Sequence, residues 1–276
     1  MKIGSDTRAV VTGAGSGLGA ALCDLLVARG ARVIAADIDE DAARATARRG
    51  GGAVHAVRCD VARLADVEAM AAAADAHLGG VDLVVNNAGV AVAGKVGEVP
   101  IEDWRWALDV NLWGVIHGCH VFAPRLERQR RGHIVNVASA AGLLSPPRMA
   151  PYNTTKAAVV ALSETLHADL APHGVGVTVL CPTFFCTNLV KTARTSADPA
   201  LRAAARNLVE NSKVSAATIA RATLDGVERG ELVVAPQADG RWAWRLKRLA
   251  PAVYLRLSRR LAQAMVARRA APGEGY

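Results

Sequence analysis

The sequence predicts an α/β fold in which a single parallel β-sheet carries helices on both of its faces. Short segments that are apolar at nearly every position recur along residues 1–240, and longer Ala-rich helical patterns separate them. A strand that is apolar at successive positions is buried on both faces, which is typical of parallel sheets. Because crossovers between parallel strands are right-handed, this alternation of strands and helices builds a doubly wound sheet.

Seven strands and the helices between them follow in order along the chain. Each strand is a short run rich in Val, Ile or Ala, and each helix has a longer Ala- and Leu-rich pattern. The predicted strands cover residues 8–12, 31–37, 53–60, 81–86, 133–139, 175–181 and 231–235. The predicted helices cover residues 20–29, 39–49, 64–78, 104–122 and 152–170.

The distribution of charge divides the chain into two parts. The net charge is +8, and residues 241–276 hold nine basic residues and one acid, which accounts for the whole excess. We therefore predict one domain at residues 1–240 and a basic C-terminal extension at 241–276. The balanced charge of the domain argues against a nucleic-acid enzyme, because such proteins concentrate positive charge around their site.

Composition and cysteine spacing exclude other classes of protein. Hydrophobic residues make up 51% of the chain, which excludes extensive disorder. The sequence has no apolar run of about 18 residues, as a membrane-spanning helix needs, and its N-terminal segment lacks the layout of a secretory signal. The five cysteines form no CxxC pair and no metal-ligand spacing. We therefore predict a cytoplasmic protein with buried thiols and no metal site.

A glycine-rich loop separates the first strand from the first helix. Its sequence is Thr12-Gly13-Ala14-Gly15-Ser16-Gly17-Leu18-Gly19. Glycines let the backbone turn tightly and approach a diphosphate, and the amides and dipole at the start of a helix attract that diphosphate. A loop of this kind between a strand and a helix predicts a dinucleotide-binding domain of the Rossmann type.

Asp37 ends the second predicted strand and selects the cofactor. Its carboxylate can accept hydrogen bonds from both ribose hydroxyls of an adenosine, and it would repel a 2′-phosphate. The glycine loop and the two positions after Asp37 contain no Arg or Lys. These observations predict NAD rather than NADP. The alternative is that Asp37 only caps the helix that begins near Asp39.

A tyrosine and a lysine lie four residues apart in Tyr152-Asn153-Thr154-Thr155-Lys156. On a helix their side chains share one face, and a nearby ammonium lowers the pKa of a phenol. We therefore predict that Tyr152 is an acid–base group with a lowered pKa. Ser139 closes the fifth predicted strand, at the end of the sheet where doubly wound folds bind ligands.

In combination these motifs resemble the short-chain dehydrogenase/reductase family in its one-domain form, over about residues 5–236. The resemblance depends on six motifs in the expected order. They are TGAGSGLG at 12–19, Asp60-Val61, NNAG at 86–89, Asn111, Ser139 and YNTTK at 152–156.

The resemblance implies a role for each matching residue. Tyr152 would donate the proton in ketone reduction and accept it in alcohol oxidation. Lys156 would hold the nicotinamide ribose and lower the pKa of Tyr152. Ser139 would bind the substrate oxygen, and Asn111 would anchor a water molecule that links Lys156 to solvent. The predicted catalytic residues are thus Asn111, Ser139, Tyr152 and Lys156.

The resemblance also implies the residues that hold the cofactor. Asp60 would bind the adenine amino group beside Val61, and residues 87–89 would line the cofactor channel. The whole predicted set is Gly13, Ser16, Gly17, Leu18, Gly19, Asp37, Ile38, Asp60, Val61, Asn87, Ala88, Gly89, Tyr152, Lys156, Pro182 and Thr187.

One segment departs from the family pattern. After the sixth strand the family usually has PGxxxT, and this chain has Pro182-Thr183-Phe184-Phe185-Cys186-Thr187. Pro182 and Thr187 match, so Thr187 would still bind the nicotinamide carboxamide. Thr183 replaces the glycine, which makes the backbone less free at that position.

Apolar side chains surround the predicted catalytic residues and predict a lipophilic substrate. The predicted substrate-binding residues are Ser139, Leu143, Leu144, Tyr152, Phe184 and Phe185, and Leu189, Val190 and Leu208 follow in the same segment. A steroid-like, terpenoid, aryl or long-chain alcohol or ketone would suit such a pocket. The alternative is that several of these side chains only fill the core.

The C-terminal extension predicts a basic amphipathic helical segment. Apolar residues recur every three or four positions and arginines lie mainly opposite, while Pro251 is expected to kink the segment or start a second helix. Such a segment suits an anionic membrane surface, which gives peripheral membrane contact as one alternative. The other alternative is that its apolar face packs on the domain or on a second subunit.

The sequence is compatible with three functions. The first is an NAD-dependent oxidoreductase that interconverts a lipophilic secondary alcohol and its ketone. The second is a 3-oxoacyl reductase of the fatty-acid or polyketide type, which Asp37 disfavours because such reductases usually take NADPH. The third is a non-catalytic dinucleotide sensor or scaffold, which the complete Asn111, Ser139, Tyr152 and Lys156 set disfavours. The resemblance also implies a homodimer or homotetramer formed through the two long helices.

Overall fold

A seven-stranded parallel sheet forms the centre of the protein. The computed structural model describes residues 1–187, 189, 193–195, 203, 206–207, 209 and 211–270, with side chains in the last helix up to residue 264. The strands are β1 Arg8–Thr12, β2 Arg32–Asp37, β3 Val54–Arg58, β4 Leu83–Asn86, β5 Val92–Ala93, β6 Gly132–Val137, β7 Val175–Leu180, β8 Arg194–Thr195 and β9 Val233–Val234. The order across the sheet is β3-β2-β1-β4-β6-β7-β9, and β5 pairs separately with β8. The predicted fold class is confirmed.

Helices cover both faces of the sheet. They are α1 Gly17–Ala28, α2 Glu40–Gly50, α3 Leu64–Leu78, α4 Ile101–Leu108, α5 Gly114–Gln129, α6 Ala140–Leu144, α7 Ala150–Leu170, α8 Ala216–Arg229, α9 Ala238–Leu249 and α10 Pro251–Ala270. A π-helical turn, Asp109–Trp113, joins α4 to α5. The predicted helix 104–122 is therefore interrupted, and α6, α8 and the β5–β8 pair are additions to the predicted elements.

Alternate residues of each strand enter different halves of the core. Val10 belongs to a cluster with side chains of α3, α5 and α7, whereas Ala9 and Val11 belong to a cluster with α1 and α8. All three side chains are fully buried. The sheet is thus apolar on both faces, which explains the continuous apolar runs of the sequence.

The chain reverses its direction across the sheet at β1. β2 pairs with one side of β1 and β4 with the other, both in parallel. The loops after β1 and β4 therefore leave the sheet side by side. A crevice at the carboxyl ends of the strands follows from this reversal, and it is the usual ligand site of such sheets.

The C-terminal extension packs on the domain beside α6. Trp244 packs against the buried core, the Lys247 ammonium donates to the Leu143 carbonyl at 2.6 Å, and the Tyr254 hydroxyl donates to the Leu144 carbonyl. Pro251 starts a second helix, as one of the two predicted alternatives has it. In the described part of the chain no helix is long and apolar enough to cross a bilayer. The division of the chain at residue 240 stays a prediction.

Candidate active site

The glycine loop is packed so tightly that side chains would disrupt it. A Cβ on Gly19 would lie 2.0 Å from the Gly13 carbonyl oxygen, and Gly13 itself has a φ of +64°. Ser16 precedes α1 in an extended conformation, and its side chain makes no capping hydrogen bond. The first amides of α1 thus begin at a loop that leaves room for a diphosphate.

Thr12 connects the glycine loop to the loop after β4. Its hydroxyl oxygen accepts hydrogen bonds from the Asn87 and Ala88 amides at 3.0 and 3.1 Å, and the Asn87 side chain donates to the Thr12 carbonyl at 2.8 Å. Thr46 holds the other side of the loop by donating to the Ala14 carbonyl at 2.9 Å. Neither threonine was predicted from the sequence as part of the site, although a polar residue that ends an apolar strand was a signal for Thr12.

Asp37 lies at the end of β2 and is oriented by the glycine loop. Its carboxylate accepts hydrogen bonds from the Gly15 amide at 2.8 Å and from the Asp39 amide at 3.0 Å. Asp39, not Asp37, caps α2 by accepting from the Ala42 amide. The capping alternative for Asp37 is therefore wrong, and its carboxylate lines the cleft beside Ile38.

Asp60 and Val61 follow β3 and form the far end of the same cleft. The Asp60 carboxylate accepts from the Ala62 amide at 3.1 Å. Val61 is held by α5, because a side chain on Gly114 would lie 2.6 Å from the Val61 side chain and a His117 ring nitrogen lies 2.9 Å from the Val61 carbonyl. His117 was not among the site residues predicted from the sequence.

Asn111 lies in the π-helical turn and is fully buried. Its side-chain oxygen accepts from the Val90 amide at 2.8 Å, and its side-chain nitrogen donates to the Val90 carbonyl at 2.9 Å. A side chain on Gly89 would lie 3.1 Å from the Asn111 oxygen and 3.5 Å from the Lys156 nitrogen. Asn111 therefore fixes the loop after β4 beside Lys156.

Ser139, Tyr152 and Lys156 meet near the end of β6. Ser139 caps α6 by accepting from the Ala141 amide at 3.1 Å, which ends the predicted strand 133–139 at Val137. The Ser139 side chain also hydrogen-bonds Tyr152. Lys156 donates to the Val137 carbonyl at 2.8 Å, and its nitrogen lies 5.7 Å from the centre of the Tyr152 ring.

Burial, rather than the lysine, dominates the acidity of Tyr152 in this structure. Burial raises the pKa of Tyr152 to about 12, and the hydrogen bond from Ser139 lowers it only in part. Burial also lowers the pKa of Lys156 to about 8. The prediction of a lowered tyrosine pKa is therefore wrong for the chain by itself. Both groups are removed from water, which disfavours the phenolate and the ammonium alike.

The loop after β7 runs past Ser139. The Pro182 carbonyl accepts from the Ala140 amide at 2.9 Å and lies 3.4 Å from the Ser139 hydroxyl. Thr183 contacts the start of α9: its amide donates to the Gln237 side chain at 3.1 Å, and its hydroxyl lies 3.4 Å from the Asp239 carboxylate. Pro182 and Thr187 line the cleft. The Thr183 hydroxyl at the start of α9 makes a contact that the family glycine could not make.

Three of the apolar residues predicted to bind substrate do not line the cleft. Leu143 is buried in the core and Leu144 packs against it, so for these residues the core alternative holds. The short helix α6 directs both side chains toward the core, and no sequence pattern predicted this helix. Phe185 lines the cleft, while Phe184 is 45% exposed and does not line it. Val190 and Leu208 lie outside the described residues.

Apolar residues of α4 and the π-helical turn supply a wall that the sequence analysis missed. Trp106 and Val110 line the cleft with Val90 and Leu189. The Arg194 guanidinium stacks 3.9 Å from the centre of the Trp106 ring and pairs with Asp103 at 3.0 Å. Trp106 lies five residues and Val110 one residue before Asn111, and this proximity in the sequence could have identified them as site residues.

One cleft of about 450 Å³ thus brings most of the predicted site together. Of the predicted catalytic residues, Tyr152 and Lys156 line it directly, and Ser139 and Asn111 contact its walls. The predicted cofactor residues that line it are Gly13, Ser16, Gly17, Leu18, Asp37, Ile38, Asp60, Val61, Asn87, Ala88, Gly89, Tyr152, Lys156, Pro182 and Thr187. Gly19 does not line the cleft, but its close packing against Gly13 shapes the glycine loop. Within the described residues no group of His, Cys, Asp and Glu side chains could hold a metal ion.

A doubly wound sheet with a glycine loop at its switch point defines a dinucleotide-binding protein of the Rossmann type, and the Ser–Tyr–Lys arrangement defines an oxidoreductase within it. The family model of the short chain dehydrogenases matches residues 7–198. The chain belongs to this family.

Several curated relatives are similar in sequence. The chain is 43% identical over 192 residues to the probable oxidoreductase EphD of Mycobacterium tuberculosis, which covers 68% of this chain and 32% of that protein. It thus spans about a third of the length of EphD. It is 39% identical over 212 residues to 3beta-hydroxysteroid dehydrogenase 1 of Eggerthella lenta, covering 75% of this chain and 80% of the relative.

Two further proteins are informative for the site. A 2,5-dichloro-2,5-cyclohexadiene-1,4-diol dehydrogenase of Sphingobium indicum is 41% identical over 175 residues, covering 63% of this chain and 70% of the relative. A crystal structure of a short-chain dehydrogenase/reductase from Burkholderia phymatum in complex with NAD is 37% identical, with a TM-score of 0.86. It covers 92% of this chain and 96% of that one.

Proposed function

We propose that this chain is an NAD-dependent dehydrogenase that interconverts a lipophilic secondary alcohol and its ketone. One observation carries the proposal: a single cleft holds the Asp37 carboxylate beside the glycine loop and the buried Tyr152–Lys156 pair on its wall. Similar proteins support it, because by their names two act on a cyclic diol and a 3beta-hydroxysteroid, and a third was crystallised with NAD.

The residues of the cleft fit a dinucleotide. The backbone of the glycine loop approaches the Ala88 backbone so closely that a Cβ on Gly13 would lie 2.8 Å from the Ala88 Cα. This leaves a cradle made of backbone, as a diphosphate requires. Asp37 is held with both of its oxygens at the cleft end of β2, where a ribose diol would bind and a 2′-phosphate would be repelled.

Proton transfer is the chemistry of the chain's own residues. When bound, a nicotinamide dinucleotide exchanges hydride with the substrate carbon. Tyr152 gives its phenolic proton to the ketone oxygen during reduction and takes the hydroxyl proton of the alcohol during oxidation. Ser139 donates a hydrogen bond to the same substrate oxygen and steadies the charge that develops there.

The two directions make different demands on Tyr152. Because burial raises the pKa of Tyr152 to about 12, the phenol is protonated near neutral pH and ready to donate. Oxidation requires the phenolate, which the Lys156 ammonium and the hydrogen bond from Ser139 stabilise. Lys156 is oriented for this role by its bond to the Val137 carbonyl.

The wall of the cleft suits a lipophilic substrate. The cleft that Tyr152 and Lys156 line is also lined by Trp106, Val110, Phe185 and Leu189. Apolar walls with a few polar groups are typical of sites for hydrophobic small molecules. We further propose a cytoplasmic protein that assembles as a homodimer or homotetramer, as is usual in this family.

Purified protein tests the activity directly. A panel of hydrophobic secondary alcohols with NAD should produce NADH, and Tyr152→Phe should abolish turnover while NAD binding, measured by calorimetry, persists. Loss of both would indicate a structural role for Tyr152. Unchanged biological activity of the Tyr152→Phe protein would favour a non-catalytic scaffold.

The choice of cofactor needs its own comparison. We expect kcat/KM to be higher with NAD than with NADP, because Asp37 repels the 2′-phosphate. Asp37→Ser should reduce the preference by an order of magnitude or more, and Ile38→Arg in addition should favour NADP by supplying a cation. A wild-type preference for NADP would refute this part of the proposal.

A further inference from the structure

We propose that the exposed face of the C-terminal extension docks the protein on an anionic lipid bilayer. This tail face consists of Trp242, Arg245 and Leu249 on α9 and of Val253, Arg256, Leu257, Arg260 and Leu261 on α10. Docking does not depend on the catalytic activity proposed above, because none of these residues lines the cleft.

The tail face exposes large apolar side chains. Val253, Leu257 and Leu261 are spaced by four residues and therefore share one side of α10. Trp242 and Leu249 are seven residues apart and share one side of α9. The exposed fractions are 67% for Trp242, 84% for Leu249, 44% for Val253, 49% for Leu257 and 53% for Leu261.

Arginines border this apolar stripe. Arg256 and Arg260 each precede an exposed leucine by one residue, so they lie about 100° around the helix axis from it. On α9 the Arg245 guanidinium lies 5.3 Å from the centre of the exposed Trp242 ring. A helix with Trp and Leu on one side and Arg on the next is typical of helices that lie in the lipid headgroup region.

A neighbouring side of the extension, about 100° around the axis of α10 from the apolar stripe, is occupied by the domain. Among the side chains of α10 that the structure describes, up to residue 264, the partly buried ones are Tyr254, Ser258 and Ala262, which again recur every four positions. Tyr254 and Lys247 donate to consecutive backbone carbonyls of α6. The extension is therefore anchored through one side, which leaves the tail face for a partner.

Charge complementarity selects a lipid surface over other partners. Residues 241–276 carry nine basic residues and one acid, while residues 1–240 are balanced. A second copy would bring the arginines of two tail faces together across a self-complementary interface. A nucleic acid would match the arginines but would leave the leucines in water. An anionic bilayer satisfies both, because it attracts the arginines and accepts the apolar side chains.

The position of the extension relates docking to the cleft. α9 begins beside Thr183, whose hydroxyl lies 3.4 Å from the Asp239 carboxylate, and it packs along α6, which starts at Ser139. The bilayer would therefore lie on the side of the molecule where the loop after β7 borders the cleft. If the proposed function holds, a lipophilic alcohol dissolved in the bilayer would enter from there.

Vesicle sedimentation tests the proposal with the full chain. We expect binding to vesicles of phosphatidylglycerol with phosphatidylcholine, and little to vesicles of phosphatidylcholine alone. Each arginine near an anionic surface contributes about fivefold to the partition coefficient. Replacing Arg245, Arg256 and Arg260 by Gln should therefore weaken binding about 100-fold. The matched control replaces Arg44, Arg48 and Arg49, which lie on α2 of the domain, by Gln and should bind as the wild type does.

Removing the apolar side chains tests the second half of the proposal. Val253→Ser with Leu257→Ser and Leu261→Ser should reduce binding while retaining every charge, and circular dichroism with thermal unfolding would verify the fold. Tyr152→Phe should bind vesicles like the wild type, which separates docking from turnover. Equal binding to neutral and anionic vesicles, or none to either, would overturn the proposal. So would a serine variant that changes only the molar mass in light scattering, since that result assigns the tail face to self-association.

Discussion

Lys156 and Tyr152 are buried titratable groups, and the pKa of each is shifted in the direction that favours its neutral form. Burial lowers the pKa of Lys156 to about 8 and raises that of Tyr152 to about 12. The free chain therefore holds a protonated phenol beside a lysine that loses its proton around pH 8, because its pKa is lowered to about 8. Such shifts carry a cost in stability that depends on pH, and this dependence is measurable without substrate.

Lys156→Met should remove one component of the pH dependence of stability. Between about pH 8 and 10.5 the unfolded chain binds a proton on Lys156 that the folded chain lacks, so this residue makes stability rise with pH in that window. Relative to Lys156→Met, the wild type should gain on the order of 1–3 kcal/mol across it. Urea unfolding at several pH values measures the difference, with the exposed Lys2→Met as control. An unchanged difference between wild type and Lys156→Met would contradict the assignment.

Thr12→Val should loosen the loops that hold the cofactor. The hydroxyl of Thr12 accepts from two backbone amides, and valine leaves both without that acceptor. The Asn87 amide keeps the Val85 carbonyl as a partner, whereas the Ala88 amide loses its acceptor. An amide without an acceptor costs about 1–3 kcal/mol, so we expect reduced stability and a higher KM for NAD. Thr12→Ser keeps the hydroxyl and should behave nearly as the wild type does. Equal KM values in all three proteins would show that the bonds are dispensable.

At the scale of elements, the site depends on irregular segments that follow regular strands. The glycine loop follows β1, the π-helical turn places Asn111 against Val90, and β8 pairs with β5 at the side of the cleft. Each of these segments is short and is held by a few specific contacts. Substitutions in these segments should therefore weaken ligand binding more than they reduce the stability of the whole fold.

Gly19→Ala should abolish cofactor binding at concentrations that saturate the wild type. The new methyl group would lie 2.0 Å from the Gly13 carbonyl oxygen, a backbone atom, so the loop has to shift. Gly52→Ala is the matched control, because a Cβ there meets no atom within 4 Å and Gly52 has no positive φ. Fluorescence titration with NADH would measure binding. A Gly19→Ala protein with wild-type affinity would mean that the loop can yield without loss of its cradle.

Arg194→Ala should raise the KM for a bulky alcohol several-fold with a smaller effect on the affinity for NAD. The guanidinium stacks on Trp106, which lines the cleft, and pairs with Asp103 of the same helix. Its loss frees both the tryptophan and the segment that carries β8. Arg194→Lys keeps the charge but not the planar stack, so it should rescue only part of the effect. Steady-state kinetics with a large and a small alcohol would reveal the split.

At the scale of the whole molecule, the core contains buried polar side chains that form hydrogen bonds with protein groups instead of with water. His133 is buried in β6, and its ring lies 2.8 Å from the Thr178 hydroxyl, which donates to the Glu231 carbonyl. Burial lowers the pKa of His133 to about 3. The protonated form of this histidine is thus confined to the unfolded chain over most of the acid range.

His133→Gln should make the protein less sensitive to acid. Between about pH 6.5 and 3 the unfolded wild type takes up a proton on His133 that the folded protein does not, so stability falls as the pH falls through this window. Glutamine can still donate to Thr178 but does not titrate. The free energy of unfolding should therefore decrease less on acidification than in the wild type. His120→Gln, which changes an exposed histidine, should retain the wild-type slope, and a shared slope for all three proteins would refute the role of His133.

Much of this protein is determined by its sequence alone, because the determinants are local. Burial on both faces requires continuous apolar strands, and a glycine loop between a strand and a helix requires no distant partner to be recognised. The fold class, the seven strands and the positions of Asp37, Tyr152 and Lys156 follow from such patterns. For the same reason the four-residue spacing of Tyr152 and Lys156 predicted that their side chains share one face of a helix.

Other features were decided only by the tertiary structure. The sequence shows that Lys156 lies near Tyr152, but the loss of water around both depends on β6 and the loops that cover them, and it reversed the expected pKa shift of Tyr152. Leu143 turns into the core because α6 packs under the C-terminal extension. The carbonyls of α6 accept hydrogen bonds from Lys247 and Tyr254, which lie about 100 positions further along the chain. Desolvation and packing are sums over neighbours that are distant in the chain, so no local pattern contains them.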